Sequence, residues 1–248
     1  ARERSYQTEE FLLDAPGPSF TTTGSWTTSS ATAGFFGTNY QFAGVSATET
    51  AVGTWTTGIA VEGRYPVYTW YTQGTNRAPD ALYRIHHGGG TSEVRVDQTK
   101  QGSRWVFLGE WEFSPASDCT VELSNQSGTP GRVVMADGVK VGGGMGSISR
   151  YGSTSNKPRW QECSRYWAEF VGAPSSVYNS ASTGQDNTDD AAARPLLMEW
   201  WDSGGFDLFF SLHSNAGGGT GTESFIYNNG GAIQHSAGLL AQSGAMQS

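Results

Sequence analysis

The chain has 248 residues, a formal net charge of −8 at neutral pH and an isoelectric point near 4.9. Because this field repels polyanions, it excludes nucleic acids and anionic membranes as favoured partners and points to a neutral or cationic one. Only 15% of the residues are charged, Gly is abundant and Arg far outnumbers Lys, which is typical of a secreted β-rich protein. The length suits two domains, and since no apolar run of about 18 residues occurs, no membrane span is predicted.

Residues 10–141 are predicted to form a succession of short strands. In RYPVYTWYT, one face of a strand carries Tyr65, Val67, Thr69 and Tyr71 and the other carries Tyr68 and Trp70, which is the period-two pattern of a strand. Further runs of this kind are separated by turns rich in Gly, Pro and Ser: ALYRIHH, SEVRVDQ, RWVFLGEWEF, CTVELS and GRVVMADGVKV. No amphipathic helix interrupts them, so we predict an antiparallel β-sandwich of jelly-roll type.

After residue 142 the pattern changes to that of an α/β unit. Apolar residues at helical spacings predict a helix over residues 157–174, closed by Gly172 and Pro174. SSVYNS then predicts a short strand, and AAARPLLMEWWDSGG predicts a second helix with Pro195 in its first turn. FDLFFSLH is a continuous apolar run, as in parallel strands covered on both faces. The predicted fold class is therefore a β-sandwich domain followed by a partial α/β domain.

The cysteines and the paired histidines give no metal motif. Cys119 and Cys163 are too far apart in the sequence for a metal-type or redox Cys pair, so they either form one disulfide or are two unrelated buried thiols. His86 and His87 are adjacent in a predicted strand, where neighbouring side chains point to opposite faces. We therefore do not expect these two histidines to share an ion.

An ordered series of motifs runs through the β-rich part: PSFTTTGSW, GFFGTNYQFA, TAVGTW, EGRYPVYTWYTQGTNRAPDALYRI, VRVDQ, WVFLGEWEF and VVMADGVKV. In these motifs the chain resembles the golvesin-type, or xanthan-lyase carbohydrate-binding-like, domain. The resemblance implies a binding or spacer module whose partner is a glycan or a neighbouring protein. Its many aromatic residues either stack on sugar rings or form the core, and we expect the core for most of them. Tyr71, Asn76 and Arg77, in the turn after a strand, are the predicted exposed glycan-binding group.

The segment FDLFFSLHSNAGGGTGTESFIY places His213 at the end of an apolar strand and Glu223 in the next one. Side chains at the carboxyl ends of strands in an open α/β sheet face the ligand crevice, and the glycine loop lets the second strand return beside the first. Zinc hydrolysis uses imidazole ligands and a nearby carboxylate that takes a proton from the zinc-bound water. His213 and Glu223 satisfy two of these requirements.

SLHSNA and GTESFIY resemble the corresponding strands of the zinc-dependent N-acetylmuramoyl-L-alanine amidases of peptidoglycan turnover. The resemblance implies that His213 is a zinc ligand and Glu223 is the general base. Arg194 matches the arginine of a helix in that family and Asn215 matches a loop position after the histidine, so both are predicted to bind substrate. Glu162 either supplies the zinc-binding glutamate of that family or is an exposed helix residue.

The glycine-flanked histidine that begins the amidase zinc site is missing from this sequence. We therefore expect the sandwich to be inserted in an amidase-like domain whose first strands precede Ala1. On this view residues 1–9 end the upstream segment, residues 10–141 form the sandwich and residues 142–248 form the remainder. The complete protein is expected to bind Zn2+, whereas this part of it lacks the full ligand set.

The function predicted for the parent protein is that of a secreted or cell-envelope hydrolase. It would cleave the N-acetylmuramoyl-L-alanine bond of peptidoglycan while the sandwich holds it on a glycan. The alternative is a non-catalytic extracellular surface, matrix or filament protein that uses the same folds for adhesion or self-assembly. A third hypothesis is a carbohydrate-binding module with a structural tail.

Overall fold

The computed structural model describes residues 7–115, 119–144, 156–157, 162–181 and 186–201, and in these ranges the chain forms twelve strands and three helices. The strands are β1 Glu10–Asp14, β2 Phe20–Thr23, β3 Thr27–Ser29, β4 Tyr40–Gly44, β5 Val52–Thr56, β6 Gly63–Trp70, β7 Ala81–His87, β8 Gly90–Val96, β9 Val106–Phe113, β10 Thr120–Ser124, β11 Val133–Ala136 and β12 Gly138–Gly142. The helices are α1 Ser164–Phe170, α2 Ser175–Tyr178 and α3 Asp186–Trp201.

The twelve strands form three sheets, in which all the strand pairs are antiparallel. The four-stranded sheet has the order β1-β12-β6-β9, and the five-stranded sheet has the order β2-β5-β10-β7-β8. A smaller sheet has the order β11-β4-β3. The predicted antiparallel, sandwich-like β architecture is therefore confirmed for the described part of the chain.

The core lies between the four-stranded and five-stranded sheets. β6 contributes Tyr65 and Val67, and the opposing sheet contributes Trp55, Tyr83 and Val121, all of them fully buried. Burial of a side chain such as Val or Phe contributes roughly 1.5–3 kcal/mol, so this layer supplies much of the stability of the sandwich. The alternation that the sequence predicts for β6 is confirmed, because its other face lies outside this core.

A polar network crosses the core and centres on Gln98 and Tyr83. Gln98 Nε2 donates to the Tyr83 hydroxyl at 3.0 Å and to the Met135 carbonyl oxygen at 2.9 Å. Its Oε1 accepts from the Met135 N–H at 2.8 Å, and Thr69 Oγ1 donates to the Tyr83 hydroxyl at 2.9 Å. Because a buried polar group without a partner is costly, these bonds fix how the two sheets face each other.

The outer face of the four-stranded sheet is covered by the helices. Tyr68 and Trp105 pack there against Phe170 and Val171 in a second apolar cluster. The half-buried side chains of that cluster are mostly aromatic: Phe36, Trp70, Trp167, Leu197, Trp200 and Trp201. The helices and the sandwich therefore share a packed interface, and both lie in one compact unit that spans Ala1–Asp207.

Two cations of the sandwich meet the C-terminal ends of helices that carry no basic residue in their own last turns. Lys140 Nζ donates to the carbonyl oxygen of Phe170, the last residue of α1, at 2.5 Å and lies 3.5 Å from the centroid of its ring. Arg104 donates to the Trp201 carbonyl oxygen at 2.6 Å, and its guanidinium lies 4.6 Å from the ring centroid of Trp200. Because the C-terminus of a helix is electronegative, both contacts stabilise the docking of the helices.

Two predictions for the helical part are wrong. SSVYNS forms the short helix α2, since Pro174 supplies an extended N-cap with the fixed φ that suits a helix start. α3 begins at Asp186, so Pro195 lies inside the helix instead of in its first turn. The alanines before the proline favour helix strongly enough to carry it through that position. A helix does form within residues 157–174, although it spans only Ser164–Phe170.

The remaining predictions concern the thiols, the membrane and the last strand. Cys119 and Cys163 are free thiols. In the described ranges no helix is long and apolar enough to cross a membrane. The predicted strand FDLFFSLH, together with His213, Asn215 and Glu223, lies outside the described residues.

Candidate functional site

The group predicted to bind glycan from the turn after β6 is mostly buried. The Tyr71 side chain is 1% exposed, and its hydroxyl donates to the Lys100 carbonyl oxygen at 2.8 Å. Arg77 is 7% exposed and donates to Asn76 Oδ1 at 2.6 Å and to the Thr72 carbonyl oxygen at 3.2 Å. The expected exposure is therefore wrong for Tyr71, because it continues the core-facing alternation of β6. It is also wrong for Arg77, because the guanidinium is held by hydrogen bonds to Thr72 and Asn76 in the turn after β6. Only Asn76 of the three is exposed.

The candidates of the amidase hypothesis are only partly described. Glu162 lies two residues before α1 and is half-buried, so the interpretation as an exposed helix residue is wrong. Arg194 forms an ion pair within α3, with its Nη2 2.5 Å from Asp190 Oδ2. Among the described residues, no group of three His, Cys, Asp or Glu could hold a metal ion. The roles assigned to His213 and Glu223 stay predictions.

A cleft of about 480 Å3 lies at one end of the five-stranded sheet. Its walls come from residues 45–47 after β4, residues 126–128 and 130–131 after β10, Asp80 before β7 and Arg95 near the end of β8. The second of these loops carries the turn sequence SGTPG, in which Gly131 has a φ of +74°, a conformation that favours glycine. The strand pairing of β7 with β10 brings the walls together.

Asp80 holds the loop that forms one wall of the cleft. Its Oδ1 accepts from the Ser127 hydroxyl, and its Oδ2 accepts from the Gly128 N–H at 3.0 Å. Burial alone would raise the pKa of Asp80, but these hydrogen bonds outweigh it, and the pKa is lowered from its ordinary value. The carboxylate is therefore ionised at neutral pH and keeps lone pairs for a ligand hydroxyl.

Arg95 and Gln126 present unused hydrogen-bonding atoms in the cleft. Arg95 Nη1 donates to the Asp80 carbonyl oxygen at 2.9 Å, and its side chain is 49% exposed. Gln126 Nε2 is 3.4 Å from the Ala47 carbonyl oxygen. Within the described part of the chain, Arg95 Nε and Nη2 and Gln126 Oε1 have no partner. The cleft thus offers donors and acceptors side by side, next to the apolar wall of Pro130.

Sequence reasoning missed this site because its parts are distant in the chain. Asp80 and Ser127 meet only through the pairing of β7 with β10. The SGTPG turn and an aspartate just before a strand were visible signals, but turn chemistry alone does not indicate a binding cleft.

The comparisons with known proteins agree on the β-rich part. A family profile described as Golvesin C-terminal domain matches residues 12–143. Xanthan lyase from Bacillus sp. (strain GL1) is 31% identical over 128 residues, which are 51% of this chain and 14% of that protein. Golvesin from Dictyostelium discoideum is 32% identical over 103 residues, which are 41% of this chain and 17% of that protein.

The structure of a Paenibacillus xanthan lyase is similar in fold. It aligns with a TM-score of 0.50 and 26% identity, over 54% of this chain and 13% of that chain. The matched segments thus cover less than a fifth of each of these relatives, whose whole-protein activities do not transfer with the match. The family profile covers more than half of the chain and agrees with the motifs and the fold, so the chain belongs to the golvesin C-terminal domain family.

Proposed function

We propose that the sandwich is a glycan-binding module and that the cleft beside Asp80 and Arg95 is its saccharide site. The observation that carries the proposal is the set of unengaged atoms on Arg95 and Gln126 beside the Asp80 carboxylate. The relative named xanthan lyase supports a glycan as ligand, since its name gives a polysaccharide substrate.

The cleft matches the chemistry of a sugar ring. Each sugar hydroxyl both donates and accepts, so it can accept from the Arg95 guanidinium and donate to Asp80 or Gln126. Pro130 and Val45 add apolar surface against which the C–H face of a ring can pack. The negative charge of the whole chain favours a neutral polysaccharide over a strongly anionic one.

Affinity electrophoresis tests the proposal. The chain is run through native gels that contain xanthan, hydroxyethylcellulose or no polymer, and insoluble peptidoglycan is tested by co-sedimentation. Arg95→Ala is expected to weaken binding about tenfold, because it removes charge-assisted hydrogen bonds. Lys100→Ala is the matched control, since it removes the same charge from a side chain that is 67% exposed outside the cleft. Wild-type chain that none of the three polymers binds would overturn the proposal.

Zinc-dependent cleavage of peptidoglycan by the parent protein is a second proposal, and SLHSNA and GTESFIY favour it. Under it, Glu223→Gln abolishes the hydrolysis of muropeptides by the complete protein, while the zinc content measured by mass spectrometry is unchanged. Hydrolysis that persists in the variant rejects the assigned role of Glu223. A complete protein without zinc or activity favours the rival hypothesis of a non-catalytic protein that works in adhesion or assembly.

We also propose that the chain works outside the cell or in the cell envelope. Its glycine-rich and lysine-poor composition supports this location, as does a polysaccharide ligand. Fractionation of cells that produce the complete protein tests it, and recovery in the cytosol alone would contradict it.

A further inference from the structure

A second polar group lies at the opposite end of the β7–β8 hairpin from the cleft, where His87, Ser92 and Trp111 meet. Trp111 Nε1 donates to Ser92 Oγ at 2.9 Å, and His87 Nε2 lies 2.9 Å from the same oxygen. The imidazole is stacked on the indole, with ring centroids 5.9 Å apart and 29° between the planes. All three residues are half-buried, so this triad is open to solvent on one side.

The hydrogen bonds of the triad determine where its protons lie. The Gly89 N–H donates to His87 Nδ1 at 3.1 Å, so Nδ1 acts as an acceptor. Burial, with a contribution from His86, lowers the pKa of His87, and the neutral ring therefore carries its proton on Nε2 and donates it to Ser92. An indole N–H is also only a donor.

Ser92 is left as an outward donor. A serine oxygen has two lone pairs, and in the triad both accept hydrogen bonds, one from Trp111 and one from His87. Within the described part of the chain no acceptor receives the hydroxyl hydrogen of Ser92. The hydrogen of the Ser92 hydroxyl is therefore available to an acceptor on a ligand. The hydrogen bonds from Trp111 and His87 fix the position of the Ser92 oxygen.

The β7–β8 turn leaves open space at one of its three glycines. Residues 88–90 are all glycine and exposed. A Cβ built on Gly90 would meet no atom within 4 Å, whereas one built on Gly89 would lie 3.2 Å from His87 Cε1. The turn is nevertheless anchored, since the Gly88 N–H donates to the Glu112 carbonyl oxygen at 2.9 Å. Gly90 and Ser92 lie on the same face of β8, two residues apart, so this open space adjoins the triad.

We propose that this triad is a second saccharide-binding site. Ser92 donates its hydroxyl hydrogen to a ring or hydroxyl oxygen of the sugar, while the solvent-accessible part of the half-buried Trp111 indole supplies apolar surface for its C–H groups. The inference rests on the proposed glycan-binding function and adds a site outside the cleft.

The wild-type chain provides the most direct test. The N–H signal of the Trp111 indole is followed by two-dimensional nitrogen–proton NMR during titration with oligosaccharides prepared from the polymer that retards the chain. The signal is assigned by its loss in Trp111→Phe, and we expect it to shift with saturation. The indole of Trp26 serves as an internal reference, since its N–H is held by the Thr23 carbonyl oxygen elsewhere on the sandwich.

A pair of variants on one strand gives the second test. Ser92→Ala is expected to weaken binding about three- to tenfold through the loss of one neutral hydrogen bond. Thr91→Ala is the matched control, because it removes the neighbouring hydroxyl, which contacts His86 on the opposite face of the sheet, and it should leave binding unchanged. Thermal unfolding of both variants shows whether the fold is intact. If Ser92→Ala unfolds, the titration of the wild-type indole decides alone.

The outcomes separate this inference from the proposed function. A shift of the Trp111 signal, with weaker binding by a folded Ser92→Ala, supports the second site. A stationary Trp111 signal, in a chain whose binding Arg95→Ala weakens, overturns the second site and leaves the cleft standing. Wild-type chain that binds no polymer overturns both.

Discussion

Asp137 connects β11 and β12 in the interior of the sandwich, and its side chain is fully buried. Both of its carboxyl oxygens accept from the Phe36 N–H, at 3.1 Å and 3.2 Å. Burial raises the pKa of Asp137 to about 8; the Phe36 hydrogen bond opposes this shift, and the Asp14 carboxyl adds to it. The folded chain therefore keeps a proton on Asp137 through most of the neutral range.

This proton makes the stability depend on pH in the sense opposite to that of an ordinary aspartate. The unfolded chain releases the proton near pH 4, whereas the folded chain holds it up to about pH 8. Between these values the folded state binds one more proton, so the free energy of unfolding falls by about 1.4 kcal/mol per pH unit. The contribution is complete below the unfolded pKa and is lost as the pH rises through the folded pKa. From pH 5 to pH 8 the loss amounts to about 3–4 kcal/mol.

Asp137→Asn removes the titrating group and keeps an oxygen that accepts from Phe36. We expect the variant to match the wild type near pH 5 and to exceed its free energy of unfolding by about 3–4 kcal/mol at pH 8. Urea unfolding, followed by tryptophan fluorescence at several pH values, measures the difference in the free energy of unfolding between the variant and the wild type. The contributions of the other titrating groups cancel in this difference. Asp97→Asn is the control. Burial alone would raise the pKa of Asp97, but hydrogen bonds, mainly from Thr99, lower it from its ordinary value. Removal of this carboxylate should therefore not change how the free energy of unfolding varies between pH 5 and pH 8. Parallel curves for Asp137→Asn and the wild type would refute the reasoning.

Two further predictions concern the helices and the triad. Lys140→Met removes the cation at the C-terminus of α1 and should raise the rate of hydrogen exchange of the α1 amides about tenfold. The control Lys100→Met should leave these rates unchanged. Equal exchange rates in the two variants would reject the capping role of Lys140. Gly109→Ala should lower the midpoint of thermal unfolding more than Gly90→Ala. Both glycines have a positive φ, but only a Cβ on Gly109 would contact the Trp111 ring, at a distance of 2.5 Å. Equal midpoints would show that the close approach to the indole is unimportant.

The sequence predicted those features of the fold that depend on local pattern. Alternation in β6 placed Tyr65 and Val67 in the core and Tyr68 on the outer face, because neighbouring side chains of a strand must point in opposite directions. Tyr71 falls on the same face as Tyr65, so the rule itself gives a buried residue. The prediction of exposure failed because it grouped Tyr71 with the turn that follows β6. SSVYNS was too short for its pattern to distinguish a strand from one helical turn.

The candidate sites could not be predicted in the same way, because their residues meet through sheet pairing. Asp80 reaches Ser127 only because β7 pairs with β10. Ser92 reaches Trp111 only because the edge strands of two different sheets lie side by side. Register and sheet order are set by the summed packing of many side chains, so a single sequence read locally does not contain them.

The boundary of the family match does not coincide with a boundary of packing. The match ends at residue 143, yet Lys140 and Arg104, which lie within it, bind carbonyl oxygens at the ends of α1 and α3 beyond it. A chain cut at residue 143 would expose Trp105 and leave two cations without the helix ends that they contact here. Such a surface of aromatic rings and cations can itself bind carbohydrate or aggregate, which would confuse any glycan assay. Saccharide binding by the cleft and by the triad is therefore best measured on a chain that retains α1 and α3, since only there is this aromatic face covered.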